Sequence, residues 1–465
     1  MNTDRQQIPS QDSSSNMRDI GLLMNFREVR NKLHHKLNRV NIGYLSTLHL
    51  LTALCFVPII YAPDGLLKAM GVYFVVHVVF ALTSTTAYAH RLISHGATRR
   101  VNLLVHLFFG YLGQTLAAQG SLASWAGKHR VHHAVDGNGH HDEDPYSAVW
   151  FTSAWRNFLW SHVLCYCFES PHEDALFKKR TESVLKQHHV MRLQHDHYLT
   201  FLIALTKLTP FLIGLFIGGS FWSGLCFLWT SLVAIVVSQH ITWSVNSVTH
   251  MWGERAARSS AKNNYVWLLP LGEGNHHADH HDAPTDYRNG FGLTGWLLDP
   301  TRYVILLLRA MRLVGPLQRA SRSAELKMIA ERRLKKLSDK KEVFYLRMCK
   351  KISQSSSHHN QLYYSERLGL ARQKMIELWE SYDESLADLK TNLCDRAQRL
   401  DQLKKEKAQL LAQRSQYTKD QLDILLKELK AQLKLAKREL QSEWRIFTAE
   451  IKAARIRLGA QVIIA

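Results

Sequence analysis

Apolar residues along this chain gather in long runs up to about residue 310 and follow a helical rhythm afterwards. A helix needs about 20 consecutive apolar residues to cross a hydrocarbon core. Four stretches meet that length: Ile42 to Ala62, Leu66 to Ala89, Tyr198 to Gly219 and Phe221 to Trp243. Pro63-Asp64-Gly65 separates the first two and Gly218-Gly219-Ser220 the last two, so each pair reads as an antiparallel hairpin. Pro210 is a kink that a membrane helix tolerates. A fifth apolar stretch, Val101 to Ala118, is interrupted by His106, Gly110, Gly113 and Gln114 and reads as a shallow or in-plane helix.

From Arg319 to Gly459 the pattern is helical, with a polar break over Ser353 to Asn360. Leu386, Leu389, Leu393, Ala397, Leu400 and Leu403 approximate one heptad seam, and Leu422, Leu426, Leu429, Leu433, Ala436 and Leu440 a second. Lys407 and Arg414 interrupt the stripe. A helical hairpin or an oligomerising coil is expected, with self-association or a protein partner as its role.

Composition separates the same two halves. The mean hydropathy of −0.19 averages an apolar region with a tail, residues 317–465, that carries 32 Lys and Arg against 19 Asp and Glu. That tail supplies most of the net charge of +20. Arg27, Arg30, Lys32, Lys36 and Arg39 precede the first apolar run, and Arg91, Arg99 and Arg100 follow the second. Cationic flanks stay on the cytoplasmic side. Both termini and residues 90–197 are therefore expected there. No nucleic-acid recognition motif accompanies the basic charge. The six cysteines are scattered, only Cys165 and Cys167 are close, and a reduced compartment without a disulfide framework is expected. The first 40 residues lack the apolar centre of a signal peptide.

The chemistry lies in the 26 histidines. His90 and His95 follow the second apolar run. His129, His132 and His133 form one His-x-x-His-His cluster, and His277, His280 and His281 another. Asn246 and His250 follow the fourth run. Helical residues three and four apart share a face, so each His-x-x-His-His triplet converges, as do Asn246 and His250. The five-residue step from His90 to His95 splays two imidazoles and is expected to serve two different metals. Alone, each cluster is as easily a set of surface or core histidines. Together, on one expected side of the membrane, nine imidazoles and one amide exceed what one metal uses. Two metals are the simplest count. Imidazole without thiolate favours oxygen-activating iron over structural zinc.

These motifs resemble the membrane fatty acid desaturases of the stearoyl-CoA (delta-9) type over residues 40–315. The resemblance rests on Ala89-His-Arg-Leu-Ile-Ser-His95, Trp125-Ala-Gly-Lys-His-Arg-Val-His-His133, Thr242-Trp-Ser-Val-Asn-Ser-Val-Thr-His250 and Gly272-Glu-Gly, with Asp299-Pro-Thr similar to the bacterial branch. It implies an all-α integral membrane protein with four transmembrane helices and a cytosolic helical cap holding a di-iron site. The segments expected are a polar cytosolic 1–40, a membrane domain 41–315 and a coiled-coil-like tail 316–465. The implied ligands are His90, His95, His129, His132, His133, Asn246 (through a water), His250, His277, His280 and His281. In the third cluster Asn275 stands in an aromatic position and His276 is an extra residue, so two frames are possible. The His277 frame keeps the three-residue step to His280.

The implied reaction is oxygen-dependent introduction of a cis double bond, at the delta-9 position, into a long saturated acyl chain. Acyl-CoA, acyl-lipid and acyl-carrier-protein donors are not distinguished. Electrons are expected from a separate cytochrome b5, ferredoxin or rubredoxin type carrier, because no His-Pro-Gly-Gly haem signature occurs. A bacterial inner membrane is favoured over the endoplasmic reticulum. Trp125, Trp243 and Tyr88 are candidate tunnel lining, and Arg91, Lys128 and Arg130 candidate contacts to carrier phosphates. His140 and His141 are expected in a cap loop, His162 as structural. His34, His35, His188, His189, His195, His197, His358 and His359 are expected in solvated or interfacial places. A di-iron membrane hydroxylase is the alternative, disfavoured by the Thr242 to His250 pattern and by Gly-Glu-Gly. A non-enzymatic metal carrier requires polar ligands inside the spans, where few occur, His49 and His77 among them.

Overall fold

A computed structural model describes residues 25–32, 34–54, 56–135, 150–169, 171–256, 259–265, 273–355 and 361–464. Gly272, His140, His141, His358 and His359 lie outside them, as does most of the polar 1–40 segment. The chain forms two compact units, Met1–Arg319 and Ala320–Ala465.

Among the described residues of the first unit, three helices are long and apolar enough to cross a membrane: Asp64–Ser94, Tyr198–Gly218 and Phe221–Met251. They coincide with the second, third and fourth apolar runs. The first run forms two shorter helices instead, Arg39–Ala53 and Phe56–Tyr61. Pro58 explains the interruption, because its ring collides with the carbonyl four residues back, at Leu54, where the first helix ends. Large apolar side chains such as Val72, Val76, Phe216 and Ile217 point outward from the long helices. Such a belt is tolerated against hydrocarbon and not against water.

The Asp64–Ser94 helix changes character midway. From Ser84 to Ser94 it is π-helical, each amide reaching one residue further back than in an α-helix. The His95 amide donates to the His90 carbonyl at 3.2 Å, and the Ser94 hydroxyl to the Ala89 carbonyl at 2.7 Å. Residues five apart are thereby brought into register. The Leu103–Leu116 helix is too short to cross, as its broken pattern suggested, and packs on this segment. A Cβ at Gly113 would overlap the Ser84 hydroxyl, so only glycine permits that approach.

The Phe221–Met251 helix starts after Gly219, which is left-handed (φ 65°), and is capped by Ser220 accepting from the Ser223 amide. Buried polar groups tie it to its neighbours: the Ser231 hydroxyl donates to the Thr206 carbonyl at 3.0 Å and the Gln239 amide to the Ala118 carbonyl at 2.8 Å. Its last two turns carry Asn246 and His250. Shorter helices, Leu122–Val135, Ala154–His162, Pro171–Gln187, His277–Asp282 and Thr301–Ala310, gather around the histidine-bearing ends. Leu92, Ile93, Leu122, Ala126, Leu185 and Ile305 form the core there. His35 departs from the solvated place expected of it: it is buried, with its ring 5.4 Å from Trp150. His162 bonds to Ser247 (3.0 Å) and His240 (2.9 Å), and His240 reaches His49 at 3.0 Å.

The second unit is three helices, Arg322–Ser355, Gln361–Ala412 and Lys419–Ile464, where a hairpin was one expectation. The extra helix contributes Leu326, Ala330 and Leu337 to a core shared with Leu393, Leu400, Leu440 and Phe447. Lys407 does not interrupt its helix, whereas Arg414 falls in the turn after it.

Candidate metal centre

The nine histidines singled out by sequence come together in two groups. His90, His95, His129, His133 and His280 form one, and His132, His250, His277 and His281 the other. Within each, ring nitrogens lie within 4.8 Å of one another. In the first, His90 Nε2 is 2.8 Å from His280 Nε2, His95 Nε2 is 2.8 Å from His129 Nε2, and His280 Nε2 is 3.2 Å from His133 Nε2. In the second, His250 Nε2 is 2.9 Å from His277 Nε2.

Helix geometry explains the sorting. Residues four apart stay in one group, His129 with His133 and His277 with His281, whereas the residue three along, His132 or His280, reaches across to the other. The two triplets are related reciprocally, so each binds both groups together. His90 and His95 do not divide between the groups, contrary to the sequence reading. The π-helical register brings residues five apart to one side, and the two rings are 5.0 Å apart.

Burial makes these imidazoles good donors. It pushes the pKa values of His95, His129, His133, His277 and His280 well below the usual histidine range, and neighbouring imidazoles push them further. A neutral ring keeps a lone pair for a metal. Partners on the far nitrogen aim some of the rings. His90 Nδ1 is 3.0 Å from Glu273 Oε2, and His250 Nδ1 is 2.7 Å from the Ser260 hydroxyl. Nitrogens crowded to 2.8 Å with all-imidazole chemistry, in two adjoining sets, fit two metal ions.

Asn246 lines the adjoining cavity together with His132 and His277. Its place one turn before His250 comes from the continuous Phe221–Met251 helix. His276 joins neither group. Its ring lies over Gly290, where a Cβ would overlap it, and its Nδ1 is 3.4 Å from Asp279.

Arg91 is not available to carrier phosphates, as the sequence reading had it. It is fully buried, and its guanidinium donates to Asp299 (2.7 Å), Glu273 (3.0 Å) and the Thr301 hydroxyl (2.6 Å). Glu273 is held down to about 2: burial pushes its carboxyl up, but the attraction of His90 and Arg91 outweighs that cost. Arg130 also turns inward, donating to the Ser94 and Ile93 carbonyls at 2.9 and 2.8 Å. Of the three cations, Lys128 alone lines the cavity, with its ammonium 5.0 Å from the centre of the Phe177 ring. The roles of Glu273 and Asp299 were missed, although Gly-Glu-Gly and Asp-Pro-Thr had both been noted as motifs.

The cavity measures about 480 Å³ and is mostly apolar. Trp125 and Trp243 line it; Tyr88 does not and is buried elsewhere, bonded to His106 at 2.6 Å. Trp125 stacks on His129 with ring centres 5.1 Å apart and donates to Gln119 at 3.2 Å. Gln119 in turn donates to the Thr242 hydroxyl at 2.9 Å. This string fixes the cavity wall beside both histidine groups. An apolar cavity of this size beside the two histidine groups can take a hydrocarbon chain and keep water from it.

Residues 66–291 match the fatty acid desaturase family model. Stearoyl-CoA desaturase 5 of Bos taurus is 32% identical over 272 residues, which cover 56% of this chain and 75% of that protein. The Homo sapiens protein of the same name is 32% identical over 270 residues, 56% and 76% of the two chains. The sn-1 stearoyl-lipid 9-desaturase of Anabaena variabilis is 29% identical over 285 residues, 60% and 93% of the two chains. With its helices, its histidine groups and these relatives taken together, the chain belongs to the fatty acid desaturase family.

Proposed function

We propose that this chain is a di-iron acyl desaturase that uses O2 and two electrons to place a cis double bond, at the delta-9 position, in a long saturated acyl chain. The observation that carries this reading is the apolar cavity running directly past two groups of converging imidazoles. His90, His95, His129, His133 and His280 would hold one iron. His132, His250, His277 and His281 would hold the other, with Asn246 beside it through a water. When bound, the iron pair supplies the oxidation of unactivated methylenes that no side chain performs.

The chain's own residues do the rest. Trp125, Trp243, Gln119 and Thr242 hold the acyl chain in one bend, which decides the carbons presented. Glu273 keeps the proton of His90 on Nδ1 and its lone pair on Nε2, towards the metal. Arg91 and Asp299 hold Glu273 in turn. The apolar wall excludes water from the reacting carbons.

The Arg39–Ala53 and Phe56–Tyr61 helices together form the first of four spans. Their outward Val40, Leu50, Leu51 and Ile60 suit lipid contact. Basic flanks support a cytoplasmic side for both termini and residues 90–197, with the shorter helices as the cap. The acyl donor is a thioester or a lipid, as the names of the relatives allow. A separate carrier brings the electrons, and residues 320–465 mediate association with a second copy or another protein.

Expression in a desaturase-deficient host tests the reading. Wild type should restore an alkene without alcohol, and His132→Ala should not. Equal lipid profiles for both, or purified protein with only trace iron, would reject it.

A further inference from the structure

The cavity is open where no donor site was foreseen. Beyond Trp243 its wall includes Val40 and Tyr44 of the Arg39–Ala53 helix and Tyr198, Leu199 and Leu202 of the Tyr198–Gly218 helix. Val40 is 81% exposed and Leu199 69%. Wall residues that open mark a mouth. Each lies in the first turn of its helix, after Asn38-Arg39 in one case and Asp196-His197 in the other. That is where polar chain gives way to apolar helix, the level of the membrane–water interface. An apolar opening at this depth faces the lipid leaflet from the side.

Immediately before Val40 lies a second hollow, of about 500 Å³. Arg30, Lys36 and Arg39 line it with His34 and His35, and no carboxylate does. Glu169 stands opposite Lys36 in the short strand pair, yet Arg30, Lys36 and Arg39 form no ion pair among the described residues. The hollow is anchored. Val29 is fully buried, packed with Trp150, Phe151 and Trp160, and the Asn38 amide donates to the Cys167 carbonyl at 2.9 Å. Arg30, Lys36 and Arg39 repel one another across the hollow, and an anion relieves that repulsion. At an interface the anion to hand is a lipid phosphate.

We propose that this hollow holds the phosphate of a glycerolipid whose acyl chain enters the cavity sideways, past Val40 and Leu199, so that the acyl donor is a lipid in the membrane. The proposal rests on the desaturase reading above and names its substrate class. A coenzyme A thioester carries several phosphates, and the wall of the cavity itself offers few cations to them. Among the described residues Lys128 is the one Lys or Arg in the cavity wall, while Arg91 and Arg130 are committed inward.

Full-length protein in nanodiscs, loaded with iron, reduced, and exposed once to O2, gives a test that needs no electron carrier. Two ferrous ions supply two electrons and the acyl chain two hydrogen atoms, that is two electrons and two protons, which with two solvent protons take O2 to two waters. One arm receives phosphatidylglycerol with deuterated stearoyl chains, the other deuterated stearoyl-CoA. Mass spectrometry should find at least tenfold more deuterated alkene in the lipid arm. The double variant Val40→Trp, Leu199→Trp should lower it at least tenfold, and Arg30→Gln with Arg39→Gln at least threefold, at unchanged iron content. In parallel, a photoactivatable stearoyl lipid should label peptides around Val40 or Leu199. Alkene mainly in the thioester arm, or indifference to the tryptophan plugs, overturns lipid entry and leaves the desaturase intact. No alkene in either arm from protein with two irons overturns both.

Discussion

Glu273 Oε2 stands 3.0 Å from Nδ1 of His90, and the other nitrogen of that ring lies 2.8 Å from His280 Nε2. A carboxylate behind a ligating histidine fixes its tautomer and raises its donor strength. Loss of such a partner costs about 10- to 100-fold in metal affinity. Glu273→Gln should therefore weaken iron binding by that order while leaving the helical content unchanged. Titration of iron-free protein with ferrous ion checks this. Equal affinity would reduce Glu273 to a space-filling role.

The alternation of the two His-x-x-His-His clusters predicts separable losses. His133 belongs with His90 and His95, His132 with His250 and His277. Alanine at either should remove one iron of the pair and leave most of the other. Metal analysis should show the drop, and Mössbauer spectra of the two variants should differ, because five imidazoles remain around one metal and four around the other. Identical spectra would show that the groups do not act as two sites.

Much of this centre was legible because ligand spacing is written into the chain. The triplets at 129 and 277, and the pair Asn246 and His250, need only a helix to converge. Which residue serves which metal was not legible. A helix places His129, His132 and His133 on one face, and only the docking of the other helices divides them. The His90 and His95 step misled for a related reason. Five residues splay on an α-helix and align on the π-helical stretch Ser84–Ser94, and no residue type marks that change. Arg91 misled because a cation in a basic flank reads as surface. Its carboxylate partners, Glu273 and Asp299, lie some two hundred positions away in sequence.

That buried cluster gives a stability prediction. Arg91 and Asp299 are fully buried, and Glu273 nearly so. Removing one partner strands a charge in low dielectric, at a cost of about 3–5 kcal/mol. Arg91→Met should lower the thermal transition sharply, even without iron. Arg91→Met combined with Asp299→Asn should recover part of the loss, since fewer charges remain unpaired. Additive losses would argue against a coupled cluster.

Acid should destabilise the iron-free protein for a reason with a definite sign. His95, His129, His133, His277 and His280 are held neutral when folded, far below their ordinary pKa near 6.5. Below that pH the unfolded chain takes up protons that the folded one refuses, so stability falls as pH falls. Glu273, with a folded value of about 2, adds its own loss only below its unfolded value near 4.5. The melting temperature should be flat above about pH 7.5 and decline from about 6.5 to 5. A flat profile down to pH 5 would mean that the cluster opens to water without metal.

The second unit should be separable from the metal chemistry. Leu393 is fully buried in the core of the three tail helices, beside Ala397 and Leu400. A carboxylate placed there has no partner and cannot stay ionised at low cost, so Leu393→Asp should unravel the packing of those helices. None of the nine histidines, nor Glu273, Arg91 or Asp299, lies in residues 320–465. Iron content should therefore hold at the wild-type level while helical signal falls and proteolysis within 320–465 accelerates. Loss of iron together with the tail packing would show that the metal site depends on the tail.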